Sequence, residues 1–165
     1  MKIFLLGGIF LLFVAIGVYI YSAFKARKRF FADLLQFCSH LSIEISFSKN
    51  TIARVIERYS QSYSRPFRAV LEGYTKFLNE KQDITRETLI PLMWNRLTLD
   101  EAAQTVEFFY QLGRHGSFEE GKKLESTRVE FENMLEKATH DLTTRASIYL
   151  KLCIILGIGA VIVLI

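Results

Sequence analysis

Two apolar segments bracket this chain, and they limit what it can fold into more than any other feature. Ile3 to Phe24 carries no charged residue, and Ile148 to Ile165 carries one, Lys151. A membrane-spanning helix needs roughly 20 apolar residues, each advancing about 1.5 Å. The first segment meets that length. The second is marginal, but it ends the sequence and needs only one polar flank. The pattern predicts an N-terminal transmembrane anchor over 1–24, a helical body over 25–146 and a C-terminal transmembrane anchor over 147–165. The body has about 120 residues, enough for one domain with a buried core. The first apolar segment is longer than a signal-peptide core, and no clean small-x-small cleavage site stands near Ser22 and Ala23, so it reads as an uncleaved anchor. The second lacks the polar spacer and small-residue site of a lipid-anchor signal.

The flanks predict orientation. Lys25, Arg27, Lys28 and Arg29 follow the first span, Arg145 precedes the second, and Lys151 can snorkel from inside it. Basic residues close to a span favour the cytoplasmic side, which puts the body in the cytosol; Lys2 argues weakly the other way. Tyr19, Tyr21, Phe24 and Tyr149 fall near the same boundary, as an aromatic belt does. Cys38 lies in the body and Cys153 in a span, so they are expected to be packing residues and not a disulfide.

The net charge of +4 is uneven. Residues 25–80 hold ten basic and five acidic side chains, whereas 81–146 hold nine basic and twelve acidic. The basic residues are interspersed with acids and no stacking-aromatic motif accompanies them, so nucleic acid is not an expected partner.

Apolar spacing is helical almost throughout and strand signals are missing, which predicts an all-α, antiparallel six-helix bundle with transmembrane extensions at both ends. The first span should continue as a helix to about Phe47, with Leu34, Phe37, Cys38, Leu41 and Ile45 on one stripe. Asn50 is an N-cap candidate for a second helix that turns Ile52, Val55, Ile56 and Tyr59 inward. Pro66 suits the first turn of a third helix carrying Phe67, Val70, Leu71, Tyr74 and Phe77. After a loop over Asn79–Ile84, a fourth helix is expected from Thr85 to Leu97, kinked or shortened at Pro91, with Leu89, Leu92, Met93 and Trp94 in the core. Thr98 and Glu101 form a capping box that opens a fifth helix with Ala102, Val106, Phe109 and Leu112 inward, ended by Gly113. Ser117 and Glu120 form a second box. The last helix then turns Leu124, Phe131, Leu135, Ala138 and Leu142 to one face and should enter the membrane without a break.

No residues carry enzyme chemistry. His40, His115 and His140 are scattered, and no His or Cys pair has metal-ligand spacing. No phosphate loop, nucleophile elbow or H-E-x-x-H occurs. Glu130, Glu132 and Glu136 read as solvated helix surface, and His40 as a half-buried packing residue. No cofactor, catalytic residue or metal ligand is expected. Two features remain as interaction candidates. Arg54, Arg58, Arg65 and Arg68 form a basic set on the second and third helices, suited to an acidic partner or anionic headgroups; solvated surface is the plainer reading. Gly157, Gly159 and Ala160 allow close helix approach in the last span, compatible with a homo-oligomer.

A set of short motifs adds a resemblance. Leu41-Ser-Ile-Glu44-Ile45-Ser-Phe47 is followed by a cap and Ile52; Trp94 precedes Leu97-Thr98-Leu99; Leu112-Gly113 precedes the long last helix; and Tyr149-Leu-Lys151-Leu152 precedes Gly157. In this order the motifs resemble the stage III sporulation protein AB family over nearly the whole chain. That family's body is similar to the cytosolic helical bundle of the inner-membrane platform protein of type II secretion and type IV pilus systems. The chain departs from the family pattern at Asn50-Thr51-Ile52, where Thr-Pro-Leu is usual, and at Gly116 and Glu120, where Asp and Gln are often found. The resemblance implies a non-enzymatic platform in a secretion-like channel complex of endospore formation. It also implies a place in the mother-cell membrane facing the forespore. The implied partners are a secretion-type ATPase like stage III sporulation protein AA and other membrane proteins of the complex. The alternative is a stand-alone membrane-anchored regulator, or an anionic-membrane-surface binder.

The predicted orientation is open to a direct check. A reporter active only outside the cytosol should be silent when fused after Leu97 and active when fused at Ile165. A strong signal from the Leu97 fusion would refute it.

Overall fold

A computed structural model describes residues 2–47, 52–80, 83–112 and 117–164. The described residues are helical with no strand. The elements are α1 (Lys2–Phe47), α2 (Ile52–Tyr59), α3 (Arg65–Glu80), α4 (Arg86–Leu89), α5 (Leu99–Gln111), α6 (Ser117–Asp141) and α7 (Ser147–Leu164). A π-helical turn, Leu142–Ala146, joins α6 to α7 without interrupting the rod. Counted with that rod as one helix, the fold is the predicted all-α bundle of six helices with two long apolar terminal ones. The expected caps at Asn50, Gly113 and Ser117–Glu120, the inward positions Ile45 and Leu124, and the motif departures at Thr51, Gly116 and Glu120 lie outside the residues or side chains described.

Packing divides the chain into two units, Arg29–Leu135 and Met1–Lys28 with Glu136–Ile165. The first unit is the helical body. Along α1, Phe30, Phe31, Leu34, Phe37 and Leu41 are fully buried, the threes-and-fours spacing of one helical stripe. Val55 and Ile56 of α2, Phe67, Val70, Leu71 and Tyr74 of α3, Val106 and Phe109 of α5, and Phe131 and Met134 of α6 complete the core. Phe37 is its hub. Its ring centre lies 6.2 Å from that of Tyr63, 5.8 Å from Phe67, 6.4 Å from Phe108 and 6.3 Å from Phe109, mostly edge to face. Such geometry sets the positive ring edge against a negative ring face and adds to the area buried.

The polar ends of the helices are closed locally. Thr98 Oγ1 accepts from Glu101 N while the Glu101 carboxylate accepts from Thr98 N, so the predicted capping box opens α5 in full. Thr85 and Thr88 form an equivalent box at α4. At the other end of α5 the buried Tyr74 hydroxyl faces the Phe109 and Leu112 carbonyls, at 3.1 and 3.3 Å. Both are C-terminal carbonyls that the helix itself leaves unpaired.

Three expectations need correction. The third helix reaches Glu80, through the start of the predicted loop. The fourth does not run to Leu97: Pro91 lacks the N–H that would continue it, and the chain tightens to a 3₁₀ turn over Ile90–Leu92. Trp94 consequently sits in a turn. It is half-buried and stacked on Phe30 at 5.7 Å, and so covers the core instead of filling it.

In the second unit α1 and α7 run antiparallel. Phe24 stacks on Tyr149 near one end, Gly17 faces Leu150 and Cys153, and Gly157 faces Phe10 and Phe13. A Cβ on Gly17 would stand 3.0 Å from Cys153 Cβ, and one on Gly157 would stand 3.1 Å from Phe13 Cβ, so both glycines set the close approach of the two backbones. The π turn serves this contact. Asp141 meets α1, and a regular helix would next present Arg145 to it. The one added residue presents the fully buried Ala146 instead and keeps Leu150, Cys153 and Gly157 on the inner face. The final helix thus continues as expected, but not with a regular period. Both terminal rods contain a stretch long and apolar enough to cross a membrane.

If Phe37 holds the body together, Phe37→Ala should lower its stability by about 3–5 kcal/mol, the usual range for a truncated core aromatic. Denaturant unfolding of the full chain in mild detergent, followed by the fluorescence of the single Trp94, measures this. A loss under roughly 1 kcal/mol would show that the ring cluster is not the core.

Candidate functional site

The body's polar side chains concentrate where α1 meets the connection between α2 and α3. Asp33, His40 and Glu44 recur along α1 with Phe37 at steps of four, three and four, which places all of them on one stripe. Asp33 and Glu44 are buried. Asp33 Oδ2 accepts from the Ser64 backbone N–H at 2.8 Å, just ahead of α3. Glu44 Oε1 accepts from Arg58 Nη1 at 2.6 Å and from the Tyr59 hydroxyl at 3.1 Å. A buried carboxylate is costly without donors; Asp33 has a backbone N–H, and Glu44 an arginine and a tyrosine hydroxyl.

His40 lies between these two carboxylates. Its ring stacks on Tyr59 at 4.0 Å and its Nδ1 is 2.7 Å from the Tyr63 hydroxyl. Burial, and next the Asp33 carboxylate, push the Tyr63 phenol above its ordinary range, so it stays protonated. The Tyr63 hydroxyl and His40 Nδ1 share this hydrogen bond, its direction set by the imidazole tautomer. Burial lowers the His40 pKa, partly opposed by Glu44. Cys38 beside them is a free thiol pushed up by burial to about 12, an inert packing group, as expected.

The four arginines singled out by sequence separate into two kinds. Arg68 donates from Nε to the Ser60 carbonyl and from Nη2 to those of Gln61 and Tyr63, at 3.0–3.2 Å, and so braces the turn before α3. Arg58 is engaged by Glu44, although about half of its side chain stays accessible. Arg54 and Arg65 are exposed. The surface charge offered by this set is thus smaller than the count of four, because two members hold the body's own turn together. Elsewhere on the body Arg86 makes a two-point ion pair with Glu107 and lies 4.3 Å over the Tyr110 ring. Glu130, Glu132 and Glu136 are exposed, as expected, and Glu132 pairs with Arg128.

In the helix-pair unit, Asp141 receives Arg27 at 2.9 Å and Arg145 at 3.2 Å. Gly159 has open space around it, whereas Gly157 is consumed by the α1 contact.

Sequence reasoning found His40 but not its partners. The missed signal is the recurrence of Asp33 and Glu44 within an otherwise apolar stripe: carboxylates on a buried face require donors. Among the described residues no three His, Cys, Asp or Glu side chains could together hold a metal ion. Ser64 Oγ is the one buried side-chain oxygen among them without a partner. The third buried carboxylate among the described residues, Glu101, is spent on the capping box that opens α5.

A family model described as stage III sporulation protein AB matches residues 2–165. No curated protein and no solved structure matches the chain.

The His40 pair has a pH consequence. With its folded pKa below the unfolded value near 6.5, His40 takes up its proton more readily in the unfolded chain. The stability it protects is present above about pH 6.5 and falls as pH drops below it. The thermal midpoint should therefore decline between pH 7.5 and 5.5, and His40→Gln should flatten that decline. An equal decline in the variant would assign it to other groups.

Proposed function

Because the chain belongs to the stage III sporulation protein AB family, a family of sporulation proteins, we propose that it is a membrane-held, non-enzymatic platform in a secretion-like complex. In this reading α1 and α7 cross the mother-cell membrane that faces the forespore. The helical body lies in the cytosol and receives a secretion-type ATPase like stage III sporulation protein AA. A platform of this kind needs a firm body and an accessible docking face, and no active site of its own.

The observation that carries the reading is how the polar groups are used. Asp33, Glu44, Arg58, Arg68 and Glu101 each bond to a turn, a neighbouring helix or a helix end. They stiffen the α1–α2–α3 corner and the start of α5. What this corner presents outward is charge, chiefly Arg54 and Arg65. Exposed charges contribute little to folding but act together on association rate and specificity. Neither arginine braces the body, so both can be reversed without disturbing it. Arg58 cannot, since a glutamate there would face Glu44.

Arg54→Glu with Arg65→Glu should leave helicity and membrane insertion unchanged and lower co-purification of the ATPase from detergent extracts. Binding by the parent protein should weaken steeply with salt. Undiminished recruitment by the double variant at low salt would move the docking face elsewhere, with the exposed acids Glu125, Glu130 and Glu132 of α6 next in line. If the variant instead loses binding to anionic vesicles while ATPase recruitment persists, the corner is a membrane-surface contact.

A further inference from the structure

The helix-pair unit has two flanks of different charge. Phe24 and Gly17 mark the line along which α1 faces α7, and Leu150 and Cys153 mark the corresponding line on α7. Successive helix positions are about 100° apart. Arg27, three positions past Phe24, therefore lies to one side of the α1 line. Asp141 lies on that same side, as the 2.9 Å ion pair requires, and Arg145 closes on the same carboxylate. On this flank the acid is held between two arginines.

The opposite flank is purely basic. Lys25, one position past Phe24, rotates away from Arg27 to the other side of the line, and Lys28 and Tyr21 follow at steps of three and four. On α7, Lys151 is one position past Leu150. In an antiparallel pair, positions rotated in the same sense from the contact line fall on the same side, as Arg27 and Asp141 do. Lys151 therefore shares the flank of Lys25, Lys28 and Tyr21. Lys25, Lys151 and Tyr21 are exposed, and Lys28 is half-buried. The unit contains only two acids; Asp141 is on the other flank and Glu136 lies more than a turn farther from the apolar segment.

Lys151 makes this flank more than a basic edge. It sits within α7, whose other side chains are almost all apolar, about one to two turns deeper than Lys25. A lysine at such a position reaches toward the interface along its own stem. The Lys25 and Lys28 ammoniums would repel it there unless an anion stood between them.

We propose that the flank carrying Lys25, Lys28 and Lys151 binds the phosphate headgroup of an anionic phospholipid. The inference rests on the reading that α1 and α7 cross a bilayer. The three ammoniums surround the phosphodiester from two helices, the Tyr21 hydroxyl donates to it at the interface, and the acyl chains lie along the exposed apolar faces of the pair. Val18, Ile155 and Ile158 are among the exposed side chains there. A zwitterionic headgroup brings its own cation to the same site and gains less.

The test uses the full chain reconstituted in phosphatidylcholine bilayers with trace spin-labelled phosphatidylglycerol or spin-labelled phosphatidylcholine. The ratio of immobilised label gives the preference for the anionic lipid. The parent should prefer phosphatidylglycerol, and Lys25→Gln alone should reduce that preference by about fivefold, the usual weight of one basic residue at an anionic surface. The triple Lys25→Gln, Lys28→Gln, Lys151→Gln variant should have none. Arg145→Gln, on the neutralised flank, should retain it. Preference kept by the triple variant, or lost equally in Arg145→Gln, overturns the site. Displacement of the labelled lipid by inorganic phosphate at matched ionic strength overturns the lipid as its occupant. Alkaline extraction of the parent from the bilayers separates the two levels. Release would overturn the spanning reading and this inference together. Retention without lipid preference overturns this inference alone.

Discussion

Four aromatic rings surround Phe37 at centre distances of 5.8–6.4 Å, and they come from three parts of the body: the turn before α3, α3 itself and α5. The polar groups at the α1–α2–α3 corner are arranged around that contact. Because Phe37 must face this cluster, the residues one turn to either side on α1, Asp33 and His40, must lie at its edge, where the chain leaves α2 and enters α3. Their hydrogen bonds to Ser64 and Tyr63 hold the turn in place, and Arg68 braces it from the α3 side. Burying a phenylalanine side chain contributes roughly 1.5–3 kcal/mol in transfer terms. The polar bonds add less each, but they determine which turn the aromatic cluster can accept.

The helix pair answers a different constraint. On the proposed reading that the pair crosses a bilayer, lipid supplies no hydrophobic drive for one apolar helix to meet another, so contact depends on how closely the backbones can approach. Gly17 and Gly157 permit that approach at two levels. The π turn at Leu142–Ala146 then resolves a conflict of period: without its added residue, Arg145 would occupy the place of Ala146 against α1 and the glycine would rotate out of the contact. With it, Arg145 is free to join Arg27 around Asp141 at the polar end of the pair.

These uses of polar groups bear on function. Side chains that suggest chemistry when read singly, such as His40, Glu44 and Cys38, belong to packing and turn stabilisation. Charge left at the surface is the natural basis for interaction. On the body this points to Arg54 and Arg65 as the accessible part of the basic set. On the helix pair it points to the lysine flank. A protein that works by holding partners at a membrane requires stiffness and addressable surfaces, and those are what the proposed platform role asks of this chain.

Much of the fold was legible in local sequence. The apolar termini, the stripe through Leu34, Phe37 and Leu41, the capping box at Thr98 and Glu101, and the inward faces of α2, α3 and α5 all follow from helical period and end chemistry, which act within a few residues. Pro91 announced a disturbance, but the place of Trp94 depended on how far the helix survived beyond it. The site was less legible. Asp33 and Glu44 declared only that they needed donors; that the donors are Ser64, Arg58 and Tyr59 was decided when α2 and α3 folded back on α1. The same folding turned Arg58 and Arg68 from surface charge into braces and left Arg54 and Arg65 exposed. The sequence by itself determined the helices and which faces are apolar, because those depend on neighbours three and four positions away. The tertiary structure decided which polar groups pair and which remain available, because pairing depends on segments that meet only in the folded chain.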